Sequence, residues 1–251
     1  MKNKLWVFGD SFARDVDGWP SMLTDKLNSY VQCFGQSGTS LYYSYHLLTN
    51  TLHYIPDQDQ IVFFITTPSR LYTSSNVTTR PNQATWDQHL PISGPTAIEE
   101  YKQTIKHGRQ KFADKIFLEN FLDAAEKYYM YLHNQDLADY VHTKIINDIE
   151  KIKSTRNLVT SRDLFSSELL ELVAHCNSRI TQKLVNNPHD LYSRYAETPN
   201  LLNHFSIDNN KIIADHIYNF LQSENKNKMQ KQDLVQLPPD QWQTYFKSVA
   251  T

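Results

Sequence analysis

Three short stretches hold residue types whose spacing could support attack on a carbonyl: Phe8-Gly9-Asp10-Ser11-Phe12, Gly35-Gln36-Ser37-Gly38, and His204 ahead of a C-terminal amphipathic segment. A serine hydroxyl is a weak nucleophile at neutral pH until a base such as imidazole takes its proton. The tetrahedral oxyanion that follows needs N–H donors already in place. Glycine placement fits these needs. The chain has only 6 glycines in 251 residues, yet Gly9, Gly18, Gly35 and Gly38 all fall near its start, and sparse glycine that clusters points to backbone geometry. Gly9 stops the apolar run Leu5-Trp6-Val7-Phe8, and Gly35 follows Val31 to Phe34. A hydroxyl on the first turn and a free N–H on the second would face one crevice. Ser and Asp are also favoured helix caps, so Gly-Asp-Ser alone is a weak signal; the second glycine turn and the following Trp19-Pro20 give it weight.

The elements around these turns read as alternating strand and helix. Leu5 to Phe8 is a continuous apolar run, the pattern of a strand buried on both faces. Residues 19–30 carry Trp19, Met22, Leu23 and Leu27 at helical spacing, with Pro20 where a first turn accepts it. Residues 31–34 predict a second strand, residues 41–55 a tyrosine-rich helix, and Ile61-Val62-Phe63-Phe64-Ile65 a third strand, β-branched and aromatic throughout. This alternation predicts a parallel α/β sheet whose functional residues collect at the carboxyl ends of the strands.

Beyond it, residues 72–95 read as a polar, proline-containing loop and residues 96–153 as an inserted helical hairpin. Residues 157–165 are a weaker strand candidate, 168–185 an amphipathic helix and 208–222 the last helix of the core. The expected organisation is one domain over residues 1–222 with the insertion at 96–153, followed by a polar tail at 223–251 whose residues 241–249 form a short helix.

At these residues the chain resembles the SGNH/GDSL hydrolase family of esterases, lipases and carbohydrate deacetylases. Phe8-Gly9-Asp10-Ser11-Phe12 is similar to the block carrying the nucleophilic serine, and Gln36-Ser37-Gly38-Thr39-Ser40 to the block whose glycine, here Gly38, gives an oxyanion N–H. The segment from His204 through Asp208 to Ala214 resembles the block in which the catalytic histidine leads into the final helix. Asn209 stands where glycine is usual, a position expected to be left-handed. The resemblance covers residues 5–70 and 200–222. It implies a flavodoxin-like three-layer α/β/α fold and a serine-dependent ester hydrolase with no cofactor, in which Ser11 is the nucleophile, His204 the base, and the N–H groups of Ser11 and Gly38 the oxyanion hole.

Two family features are missing. The asparagine that normally follows the third strand is replaced by Thr66-Thr67-Pro68-Ser69-Arg70, leaving Thr66, Thr67 or Arg70 as donors. The aspartate three residues before the histidine is Leu201; Glu197 is the nearest upstream carboxylate in sequence and the candidate orienting acid. Loss of such supporting groups slows a serine–histidine pair without abolishing it. The same losses motivate an alternative: a catalytically weak protein of this fold that binds a glycan or serves as an assembly or structural subunit.

The remaining composition narrows the partners. Net charge is −2, so no overall field favours nucleic acid. No apolar run reaches the length of a membrane span or a signal peptide, which predicts a cytoplasmic protein and is compatible with either a viral or a bacterial setting. The spacing of the 10 histidines shows no metal motif, Cys33 and Cys176 form no disulfide framework, and nucleotide-binding glycine loops are missing. His46, His53, His133 and His142 read as ordinary helix residues. Arg70 could bind a substrate carboxylate or phosphate, or sit in a surface ion pair. Tyr42, among 15 tyrosines, could face a small-molecule or glycan ester.

Overall fold

The computed structural model describes residues 4–13, 18–35, 39–66, 98–99, 102, 115–170, 207–223 and 226–234. The expected loop at 72–95, the helix beyond residue 170 and the short helix at 241–249 lie outside them.

Four strands, β1 (Leu5–Phe8), β2 (Val31–Cys33), β3 (Gln60–Phe63) and β4 (Leu158–Thr160), form an all-parallel sheet in the order β2-β1-β3-β4. Five helices of more than one turn accompany them among the described residues: α1 (Trp19–Leu27), α2 (Leu41–Thr51), α3 (Lys115–Tyr131), α4 (Gln135–Lys153) and α5 (Ile207–Gln222). The strand order is that of the first four strands of a flavodoxin-like sheet.

Side chains alternate across a strand, and here both faces are covered. Leu5, Val7, Val62 and Phe64 pack with Trp19 and Leu23 of α1 and Ile213, Ile217 and Phe220 of α5. Phe8, Ile61, Phe63 and Leu158 pack with Leu41 and Leu48 of α2 and Ile145, Ile146 and Ile149 of α4. The register Leu5↔Gln60, Trp6↔Ile61, Val7↔Val62, Phe8↔Phe63 keeps like faces together, so the sheet is the middle of three layers. This double burial is why β1 and β3 are apolar without interruption, each fully buried Leu, Ile or Phe contributing about 1.5–3 kcal/mol.

Local chemistry sets the element ends. Pro20 sits in the first turn of α1, and Asn28 closes that helix in the left-handed region at φ 45°. Ser40 caps α2 by accepting the Tyr43 N–H at 3.3 Å, and Asn134 caps α4 by accepting the Leu137 N–H at 3.0 Å. The strand expected at 157–165 is only three residues long, because Thr160 and Asp163 form a capping box that turns the chain into a one-turn helix, Ser161–Leu164. Asn209 lies inside α5 and has no positive φ, since the helix begins before it; the expected left-handed position is not there.

Two regions read from composition as peripheral supply core residues. Helix α4, within the expected hairpin, lies between β3 and β4 in the chain and covers one face of the sheet. In the expected polar tail, Met229 pairs with Phe165 in an isolated parallel bridge, and both Met229 and Leu234 are buried with the α1–α5 layer. No helix among the described residues is long and apolar enough to cross a membrane.

Candidate functional site

In a doubly covered parallel sheet the crevice opens at the carboxyl ends of the strands, where neighbouring crossovers leave in opposite directions. That point lies here between β1 and β3. From β1 the chain enters Gly9-Asp10-Ser11 and a single 3-10 turn, Ser11–Ala13. From β3 it runs through Phe64 and Ile65 to Thr66.

Gly9 is required twice over. Its φ is +154°, which side-chain-bearing residues rarely adopt, and a Cβ there would lie 2.7 Å from the Phe64 Cβ and 2.8 Å from the Ala13 Cβ. The glycine lets the chain turn directly against β3. Asp10 then secures the turn. It is 2% exposed; its Oδ1 accepts the Phe12 N–H at 3.0 Å and its Oδ2 accepts the Thr66 hydroxyl at 2.8 Å. A buried carboxylate is tolerable only when such partners are present. Asp10 thus fills the capping role within the 3-10 turn, and Ser11 follows it at the mouth of the sheet.

Residues on either side of the second glycine segment, Cys33 and Thr39, are tied to the first turn. The Cys33 thiol donates to the Ala13 carbonyl at 2.9 Å, and the buried Thr39 hydroxyl donates to the Gly9 carbonyl at 3.4 Å. Phe34 stacks on Phe8 with ring centroids 4.9 Å apart. Gly38, immediately before Thr39 in sequence, lies outside the described residues.

The far end of the chain reaches the same place through one buried side chain. Trp19 has no solvent exposure. Its indole N–H donates to the Phe12 carbonyl at 2.7 Å, and its backbone N–H donates to the Asn210 side-chain oxygen at 3.1 Å. The first turn of α5 is therefore joined to the turn that carries Ser11. His204 and Glu197 precede α5 and lie outside the described residues, as do Thr67 and Arg70. Of the other expected site residues, Tyr42 lies in the first turn of α2, 42% exposed and stacked on His46. Thr66 is buried, with its hydroxyl engaged by Asp10.

Sequence reasoning missed His142. It lies on α4, and its Nε2 is 2.9 Å from the Thr66 carbonyl oxygen. A carbonyl only accepts, so Nε2 carries the proton. Burial holds this imidazole below the ordinary histidine pKa; the Thr66 hydrogen bond raises it, the Arg162 charge lowers it and the Asp139 charge raises it by smaller amounts. A signal was present in the sequence, since His142 shares the helical stripe of Ile145, Ile146 and Ile149 that covers the sheet. Among the described residues no group of three or more His, Cys, Asp or Glu side chains could hold a metal ion.

No protein-family model and no curated protein sequence matches the chain. Among solved structures it is similar to one from Desulfitobacterium hafniense DCB-2 described as "a putative lipolytic protein of G-D-S-L family", with 12% identity, a TM-score of 0.33, and coverage of 86% of this chain and 98% of that one.

Proposed function

We propose that the protein is a serine-dependent ester hydrolase, of esterase or carbohydrate deacetylase type, related to the SGNH/GDSL enzymes. Ser11 attacks the ester carbonyl, His204 accepts its proton and returns it to the leaving alcohol, and the N–H groups of Ser11 and Gly38 hold the oxyanion. Thr67 or Arg70 stands in for the missing asparagine, since the Thr66 hydroxyl already donates to Asp10. Glu197 orients the imidazole. Arg70 and Tyr42 are assigned to substrate binding.

The observation that carries this reading is the pair of hydrogen bonds from Trp19 to Phe12 and Asn210. They join the residue after Ser11 to the first turn of α5, whose first residue, Ile207, is three positions beyond His204. A turn that only glycine fits and a clamped buried carboxylate beside Ser11 are more than a helix cap requires.

The test is hydrolysis of p-nitrophenyl acetate and acetylated sugars together with labelling by a fluorophosphonate. Turnover and labelling by the wild-type protein, both lost in Ser11→Ala and turnover lost in His204→Ala, are expected. Absence of turnover and labelling above the Ser11→Ala background overturns the hydrolase reading. A glycan array or pull-down unaffected by Ser11→Ala would then support the binding or assembly alternative.

A further inference from the structure

The histidine that touches the site from the crossover helix has no part in the proposed chemistry, yet three hydrogen bonds in series lead from it to the nucleophile turn. His142 Nε2 donates to the Thr66 carbonyl at 2.9 Å. The Thr66 hydroxyl donates to Asp10 Oδ2 at 2.8 Å. Asp10 Oδ1 accepts the N–H of Phe12, the residue after Ser11, at 3.0 Å. We infer that His142 is a positioning residue of the Ser11 site, holding the end of β3 so that Thr66 can clamp Asp10 and thereby fix the turn that presents Ser11. This rests on the hydrolase reading for its effect on rate, but not for its effect on the turn itself.

The need for such a brace follows from the fold. Strand β3 ends at Phe63; Phe64 N–H to the Phe8 carbonyl at 2.8 Å is the last bond to β1, and the next residue is held instead by Ile65 N–H to the Ser161 hydroxyl at 3.1 Å. Thr66 is one residue further out, and it carries the hydroxyl that donates to Asp10 Oδ2. His142 reaches it because α4 covers the β1–β3–β4 face through Ile145, Ile146 and Ile149, which brings the preceding turn of the helix level with the carboxyl ends of the strands. A neutral imidazole suits the task, since its Nε2 donor is fixed by the carbonyl and it adds no buried charge. Arg162 and Asp139 are the charged groups whose fields act on it.

Two substitutions separate this role of His142 from mere space filling. His142→Leu keeps much of the bulk and removes the donor, whereas His142→Gln places an amide N–H close to where Nε2 was. With p-nitrophenyl acetate, His142→Leu should lower kcat about tenfold with KM within about twofold, and His142→Gln should recover most of that loss. Thr66→Val, which removes the hydroxyl from the same series, should lower kcat similarly, and the double variant should be no worse than about the weaker single one because both break one path. Hydrogen exchange at the Phe12 amide supplies a readout independent of catalysis: it should quicken in His142→Leu and return toward wild type in His142→Gln. The inference is overturned by an unchanged Phe12 exchange rate in folded His142→Leu, by no recovery in His142→Gln, or by losses that multiply in the double variant. Should His142→Leu not fold, the Thr66→Val and His142→Gln measurements decide it by the same criteria. Wild-type protein without turnover removes the hydrolase reading alone, and the exchange measurements still decide the role of His142.

Discussion

Replacing Asp10 tests the construction of the site most directly. Asp10 is 2% exposed and satisfies one backbone N–H and one hydroxyl, from Phe12 and Thr66. Hydrogen bonds to a charged group contribute about 1.5–3 kcal/mol each, and a buried donor left without a partner costs about 1–3 kcal/mol. Alanine removes both acceptors. The Thr66 hydroxyl can rotate toward another acceptor, but the Phe12 N–H is fixed by the 3-10 turn and loses its carboxylate acceptor. Asp10→Ala should therefore lose about 3–5 kcal/mol. Asn keeps the shape: its oxygen can take the Phe12 N–H while its NH2 donates to the Thr66 oxygen, so Asp10→Asn should lose about 1–2 kcal/mol. Guanidinium unfolding followed by tryptophan fluorescence reads both values. Because a displacement near 1 Å at a reacting centre costs about a hundredfold, Asp10→Ala should lose at least that in p-nitrophenyl acetate turnover and Asp10→Asn much less. A loss below about 1 kcal/mol in Asp10→Ala, or equal losses in the two variants, would refute the view that the carboxylate acts as a two-point geometric clamp.

Gly9→Ala meets two side-chain carbons closer than real contacts allow, at a φ of +154°; backbone strain and overpacking together should cost about 3–5 kcal/mol, seen as a fall in the denaturation midpoint with an unchanged m-value. Trp19→Phe removes the indole N–H from the Phe12 carbonyl in a fully buried position, and a stability loss of about 2–3 kcal/mol by the same unfolding measurement is expected. Burial holds His142 and His216 below the ordinary histidine value of 6.5, so the unfolded chain binds protons more readily than the folded one just below that pH. Stability should be full above pH 6.5 and decline as pH falls through the depressed folded values, and the decline should shrink in His142→Gln and His216→Gln; equal slopes in wild type and variants between pH 7.5 and 5.5 would show that neither histidine is responsible.

The strands and the nucleophile turn were legible because their signals are local. A strand buried on both faces must be apolar at every position, which marks Leu5 to Phe8 and Ile61 to Ile65, and a turn with φ of +154° demands glycine, which marks Gly9. Helix α5 announced itself by its apolar stripe, and β4 was over-extended because the capping box of Thr160 and Asp163 competes with strand continuation. Contacts made only when distant segments pack were not legible. Thr66 read as a hydroxyl available for catalysis, but the register of β3 beside β1 sets it 2.8 Å from Asp10, and a carboxylate buried there has the stronger claim on its proton. His142 read as one histidine among many in helical sequence, and only the packing of α4 on the sheet gives it the Thr66 carbonyl. Likewise Trp19 looked like a core aromatic, whereas its two N–H groups join the Ser11 turn to α5. Sequence by itself thus determined which residues can turn, cap and fill two faces, because those properties depend on a few neighbouring positions. Which polar groups hold one another was decided by tertiary structure alone, since hydrogen bonding acts over about 3 Å between partners as many as 191 positions apart in the chain.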